Sequence, residues 1–234
     1  MIEQYAVCIR ETEIGQVAGC RKLLSLEKAA RVDRFRFDRD KIRGIVGETM
    51  IRYLAETRFG FSARQLAFAY EEKGKPFLTG AAQAMQFNIS HAGEWVVCAI
   101  GDSPVGIDVE LVKDREVTFA ASVLTPAEYS RWSSLTGAEK NRAFYQAWTM
   151  KESYAKYRGE GLGLEFTEME IRPEAYGYSR IAGDTSCMLY TRDLAPEHIL
   201  TVCAERGHRQ ELGQPVIRLT VETLEEFADR NRET

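Results

Sequence analysis

Apolar residues recur at Ile42, Ile45, Val46, Met50, Tyr53 and Leu54, a three-to-four spacing within a segment that runs from Asp40 to Phe59 and stops at Gly60. This predicts the main core helix of the first half. A second helix is expected to open at the capping box Thr136-Gly137-Ala138-Glu139, to carry Phe144, Trp148, Glu152 and Lys156, and to end at Gly159. Between the two helices the pattern shortens. Gln86 to Ser90, Trp95 to Ile100 and Val105 to Glu110 read as a three-stranded meander, with turns at Ala92-Gly93 and at Gly101-Asp102-Ser103-Pro104.

The flanking segments fill in the rest. Ile2 to Ile9 suits a strand, Gly15 and Gly19 mark a loop, and Ser25 caps a helix that continues through Arg34, with Phe35 and Phe37 as core anchors. Ser62-Ala63-Arg64-Gln65 matches a capping box before a strand that ends at Tyr70. Thr125-Pro126-Ala127-Glu128 is a capping box with proline at the first helical position. Strand-like runs follow at Phe166 to Ile171, Cys187 to Thr191, Ile199 to Ala204 and Val216 to Leu219, then a short helix from Thr223. Both halves read as a long helix followed by strands, without a visible repeat, which implies an α+β fold built from a duplicated unit. The natural division is the Gly101–Pro104 turn, giving residues 1–103 and 104–234.

Composition narrows the function classes. With 234 residues, 44% hydrophobic and 28% charged, the chain is an ordinary globular protein with a sizeable core. A net charge of −4 gives no reason to expect nucleic acid or an anionic membrane as partner. The charge is unevenly spread, however: Arg21, Lys22, Lys28, Arg31, Arg34, Arg36, Arg39, Lys41 and Arg43 face only Glu27, Asp33, Asp38 and Asp40 over the same stretch. One N-terminal face is thus suited to an anion. Five cysteines without a C-x-x-C argue against a disulfide framework and a zinc site, and no basic leader or membrane-length apolar run is visible, so a cytoplasmic protein is expected.

Two stretches carry candidate chemistry. As a strand, Val105 to Glu110 turns Gly106, Asp108 and Glu110 to one face, the two acids roughly 7 Å apart. On a helix, Glu152 and Lys156 share a stripe one turn apart, with Trp148 a turn earlier. Carboxylates are hard oxygen ligands for a magnesium-type cation that also takes phosphate oxygens, and a lysine beside them suits a phosphate. Taken alone, an Asp-x-Glu strand is most often a solvated face, and Glu152 with Lys156 an ordinary helical ion pair. Lys28 and Arg31 at i and i+3, with Arg43, read either as a phosphate cradle or as a solvated basic face. Lys73-Gly74-Lys75-Pro76 is a tight turn that a plain hairpin would share.

Read together, Gly106-Ile107-Asp108-Val109-Glu110 and the later Trp148-x-x-Lys151-Glu152-Ser153-x-x-Lys156-x-x-Gly159-x-Gly161-Leu162 resemble the paired signature of the 4′-phosphopantetheinyl transferases. Lys73-Gly74-Lys75-Pro76 and Phe87-Asn88-Ile89-Ser90-His91 resemble two further motifs of the long, monomeric, surfactin-synthetase-activator type. The resemblance implies two pseudo-symmetric halves, each a long helix on a small antiparallel sheet, with coenzyme A in the cleft between them. It implies transfer of 4′-phosphopantetheine from coenzyme A to a serine of an apo acyl, peptidyl or aryl carrier protein by a cytoplasmic monomer of secondary metabolism that binds neither nucleic acid nor membrane.

Residue by residue, the resemblance makes Asp108, Glu110 and Glu152 ligands of Mg²⁺, or of Mn²⁺. Glu152 and Lys156 are catalytic, Glu152 taking the serine proton directly or through a metal-bound water. Lys28, Arg31, Arg43, Lys73, Gly74, Lys75, Pro76, Ser90, His91, Asp108 and Lys156 contact coenzyme A, with His91 on the 3′-phosphate and Lys75 on a phosphate. Phe119, Val123 and Leu124, beside Lys113 and Arg115, are a candidate carrier surface, equally readable as a packing face. Ser153 stands where the family most often has alanine. Two other classes compete: a metal-dependent nuclease or phosphohydrolase, and a non-catalytic carrier-binding module.

Overall fold

In the computed structural model, which describes residues 1–114, 117–160 and 163–231, the long periodic segments are the two longest helices. The first half runs β1 (Ile2–Cys8), α1 (Ala18–Leu23), α2 (Leu26–Asp33), α3 (Asp38–Phe59), β2 (Phe68–Tyr70), β3 (Pro76–Leu78), β4 (Gln86–Ala92) and β5 (Trp95–Gly101). The second runs β6 (Val105–Leu111), α4 (Pro126–Ser133), α5 (Gly137–Arg158), β7 (Ile171–Pro173), β8 (Tyr178–Ile181), β9 (Cys187–Ala195), β10 (His198–Glu205), α6 (Arg209–Leu212), β11 (Ile217–Leu219) and α7 (Val221–Arg230). Asp38 and Asp40 sit in the first turn of α3, where the helix dipole favours acids, and Gly60 ends it at a φ of 73°. Gly159 ends α5 in the same way, at a φ of 70°.

One sheet has the order β11-β1-β5-β4, the other β6-β10-β9-β8-β7, and β2 and β3 form a separate hairpin. Neighbouring strands are antiparallel except β1 and β11, which are parallel. Three apolar clusters stack as layers. Ile45, Met50 and Leu54 of α3 pack on Val7, Val96 and Cys98 of the first sheet. Ala6, Val97 and Ala99 on that sheet's other face meet Ile107, Leu200 and Val202 of the second. Phe144 and Ala155 of α5 cover Ile199 and Cys203 beyond. Burying each such aliphatic side chain contributes about 1.5–3 kcal/mol, so the layering is held by the side chains that set the helical and strand periods.

Several expectations change. The meander is broken: β5 is already paired on both edges, with β1 and β4, so β6 has no vacant edge there and joins β10 instead. Strands β4 and β6 are left as sheet edges that face each other. The loop expected at Gly15 and Gly19 is a 3₁₀ turn (Ile14–Val17) and α1. Phe35 and Phe37 are 38% and 60% exposed, and so are not core anchors. Neither Ser62 nor Thr136 makes a capping side-chain bond, whereas Thr125 and Glu128 form the full reciprocal box. Phe166–Glu168 is a 3₁₀ turn and the strand begins only at Ile171. Finally, β11 pairs with β1, and Leu224 and Ala228 of α7 pack into the α3 layer, so these late elements join the first sheet and the packed units are not contiguous halves.

Candidate functional site

The site is assembled where α5 crosses β6. A Cβ on Gly106 would lie 2.0 Å from the Ser153 carbonyl oxygen and 2.5 Å from the Tyr157 nitrogen, so only glycine lets the helix backbone rest on the strand. It is the helix, not a ligand, that needs this room. Ser153 is fully buried and its hydroxyl donates to the Gly106 carbonyl at 3.1 Å, which gives the serine a packing role at the position where it departs from the common alanine.

This contact lays Lys156 over Asp108. The Lys156 ammonium donates to Asp108 Oδ1 at 2.5 Å, to Ser90 Oγ at 3.1 Å and to the Ile107 carbonyl at 3.3 Å. Ser90 Oγ in turn donates to Asp108 Oδ1 at 2.8 Å. Asn88 completes the bridge between the two sheet edges by accepting the Ile107 N–H at 2.9 Å. Lone edge strands leave backbone groups unpaired, and here β4 side chains and the helix lysine satisfy them. Asp108 is 4% exposed, and its Oδ2 is buried with no hydrogen-bond donor.

The other two acids feel that charge. Burial first, and then Asp108, push the Glu110 carboxyl up to about 7; the same two causes raise Glu152. Glu110 Oε1 accepts the Trp148 indole N–H at 3.0 Å. Trp148 is itself wedged among Phe119, Phe144 and Phe166, with ring centroids 5.8, 6.2 and 5.9 Å away. Holding Glu110 is a role that the sequence did not assign to Trp148; the only signal was its place one turn before Glu152. Among the described residues no three histidine, cysteine or acidic side chains are gathered as a metal-binding group as they lie.

Lys151 is a further buried residue that the motif names without assigning it work. It is fully buried, pairs with Glu128 at 2.6 Å, and donates to the Val123 and Phe166 carbonyls at 2.7 and 2.8 Å. It fastens the chain before α4 and the chain after α5 to the helix, and losing one partner of such a pair costs about 3–5 kcal/mol. Val123 and Leu124 are only 2% and 3% exposed, which makes them packing residues; Phe119, at 44%, is the open one. Arg115, Gly161 and Leu162 lie outside the described residues.

On the other side of β4 lies a cavity of about 480 Å³ whose lining includes Lys28, Arg31, Arg43, Gly74, Pro76 and His91. Arg43 is steadied by Asp40 at 2.9 Å and by the Gly93 carbonyl. Burial lowers Lys28, and burial followed by the Arg43 charge lowers His91, so crowded cations border this space. Lys73 and Lys75 do not line it. The Lys73 ammonium stands against Gly163, and Lys75 donates to the Lys156 carbonyl at 2.7 Å. Alternation along β4 explains the division: Ile89 and His91 turn to the cavity, Asn88 and Ser90 to β6.

Comparison with known proteins adds an independent line. A family described as the 4′-phosphopantetheinyl transferase superfamily matches residues 104–203, and one described as 4′-phosphopantetheinyl transferase, N-terminal, matches residues 14–102. A 4′-phosphopantetheinyl transferase of Bacillus subtilis is 35% identical over 77% of this chain and 82% of its own length. The 4′-phosphopantetheinyl transferase Sfp of B. subtilis strain 168 is 31% identical over the same shares, and psf-1 of Bacillus pumilus is 30% identical over 82% and 83%.

Proposed function

The chain belongs to the 4′-phosphopantetheinyl transferase superfamily and is an enzyme that transfers phosphopantetheine to carrier proteins, and on that premise we propose the donor, the metal and the residues that act. The donor is coenzyme A, the acceptor a serine hydroxyl of an apo acyl, peptidyl or aryl carrier protein, and the second product adenosine 3′,5′-bisphosphate. The observation that carries this reading is the placing of a cationic cavity on one face of β4 and of the Ser90–Asp108–Lys156 junction on the other. A ligand that meets both must be long and must bend round β4. Coenzyme A, with a 3′-phosphate at one end and a diphosphate further along, has that form.

Lys28, Arg31, Arg43 and His91 are assigned to the 3′-phosphate, Gly74 and Pro76 to the adenine wall, and Ser90 and Lys156 to the diphosphate. Residues 1–103 supply the nucleotide contacts and 104–234 the acids and the helix of the reaction, with the cofactor reaching from one set to the other. Three features support a divalent cation at the junction: the donors are all carboxylates, Asp108 Oδ2 is buried without a donor, and the Asp108 charge raises both neighbours. Held by Asp108, Glu110 and Glu152, Mg²⁺ or Mn²⁺ would supply charge neutralisation on the diphosphate and the departing phosphate.

In the reaction the serine oxygen bonds to the β-phosphorus, the bridging bond to the α-phosphate breaks, and its electron pair leaves with adenosine bisphosphate. Glu152 takes the serine proton. Lys156 contributes fixed positive charge as negative charge gathers on the leaving group. A cytoplasmic monomer serving secondary-metabolite carriers is part of the same reading, and no helix among the described residues is long and apolar enough to cross a membrane. The test is intact-mass analysis of a panel of apo carriers incubated with coenzyme A and Mg²⁺. The expected outcome is a gain of one phosphopantetheine on at least one carrier; unchanged masses across the panel would overturn the proposal.

A further inference from the structure

The turn between β2 and β3 faces two ways. Tyr70, Gly74 and Pro76 border the nucleotide cavity. Other side chains of the same turn reach the far end of α5: Lys75 Nζ donates to the Lys156 carbonyl at 2.7 Å, Glu71 stands against Gly159, and Lys73 against Gly163. The last two contacts are so close that a Cβ at either glycine would sit 3.0 Å from Glu71 Oε2 or 2.4 Å from Lys73 Nζ. The turn has its own frame, since the Glu71 N–H donates to the Lys75 carbonyl at 2.9 Å and the Gly74 N–H to the Glu71 carbonyl at 2.8 Å, with Gly74 at a φ of 86°.

The carbonyls in the last turn of a helix lack partners within it, and cations are favoured there. Among the described residues the Lys156 carbonyl accepts, besides the Lys75 bond, a long 3.3 Å bond from the Gly159 N–H. Lys156 is the residue whose ammonium holds Asp108 and Ser90. Its main chain is thus fixed from the first half of the molecule, by a lysine whose amine is aimed at the helix instead of the cavity.

We propose that Lys75 is a positioning residue that acts through Lys156: it pins the last turn of α5 so that the Lys156 ammonium stays on Asp108 and Ser90, and it ties that placement to the turn bordering the nucleotide. This rests on the transfer reaction above, and transfer by the unaltered enzyme upholds that reaction whatever Lys75 does. The test compares Lys75→Met and Lys75→Arg with the unaltered enzyme, measuring kcat, KM for coenzyme A, and the dissociation constant of coenzyme A by calorimetry.

The expected result is a kcat lowered about tenfold or more in Lys75→Met, with KM and the dissociation constant within about threefold, and partial recovery of kcat in Lys75→Arg. A rise of about tenfold in both constants with kcat intact would make Lys75 a phosphate ligand and overturn the proposal. Unaltered kinetics would also overturn it. Should Lys75→Met not fold, Lys75→Gln, which keeps a donor, takes its place. Unfolding throughout the series counts against the proposal, because the role would then be structural only.

Discussion

On the α3 side of β4, Arg43 is braced by Asp40 and the Gly93 carbonyl, and Lys28 stands beside Glu48. On the α5 side Asp108 keeps one oxygen without a donor, while Glu110 and Glu152 are driven toward protonation by burial and by Asp108. On the proposed reading the first region binds and the second, with a cation added to Lys156, carries the chemistry, so substitutions on the two faces of β4 are expected to fail in different ways.

The largest effect is expected at Lys156. Replacing it with Met removes the cation paired with Asp108, and kcat/KM should fall about 10²- to 10³-fold; a steady-state assay of carrier modification checks this, and a loss confined to KM would blur the division. Gly106→Ala should come next. It forces a methyl into the Ser153 and Tyr157 backbone and should cost about 1–3 kcal/mol or more by denaturant titration, with the effect centred on α5 and not on the cavity.

The smallest effect is a pH dependence at the junction, opposite in sign to that of His91 on the cavity side, whose lowered proton affinity favours the folded state as pH rises. Glu110 sits at about 7 in the folded protein against an ordinary 4.5, so between those pH values the folded state holds a proton that the unfolded chain has released. Metal-free stability should therefore fall as pH rises from about 4.5 to about 7. Glu110→Gln should flatten that slope in thermal melts, and Mg²⁺ should raise the melting temperature more at pH 7.5 than at pH 5.5. A melting temperature indifferent to Mg²⁺ at both values would speak against a cation at these acids.

Much of this was legible before any coordinates. Glu152 and Lys156 share a helix stripe, and Gly60 and Gly159 stop their helices, because period and left-handed caps are local properties of sequence. What escaped was the choice of distant partners. Nothing in Val105–Glu110 says that β5 has no free edge, so the meander was expected and β6 lies elsewhere. The Ser90–Asp108 contact survives for another reason: two sheet edges meet through side chains. The resemblance likewise puts Lys75 on a phosphate, whereas the packing of its turn on Gly159 and Gly163 turns its amine to α5. Phe35 and Phe37 read as core by residue type, yet the segment between α2 and α3 leaves them at the surface.

The most direct measurement of the division is kcat and KM for coenzyme A, determined side by side in Asp108→Asn and His91→Ala. In Asp108→Asn kcat should fall about 10²-fold while KM shifts little, and in His91→Ala KM should rise about tenfold at a nearly unaltered kcat. The opposite pattern, with Asp108→Asn losing affinity and His91→Ala losing turnover, would contradict the account.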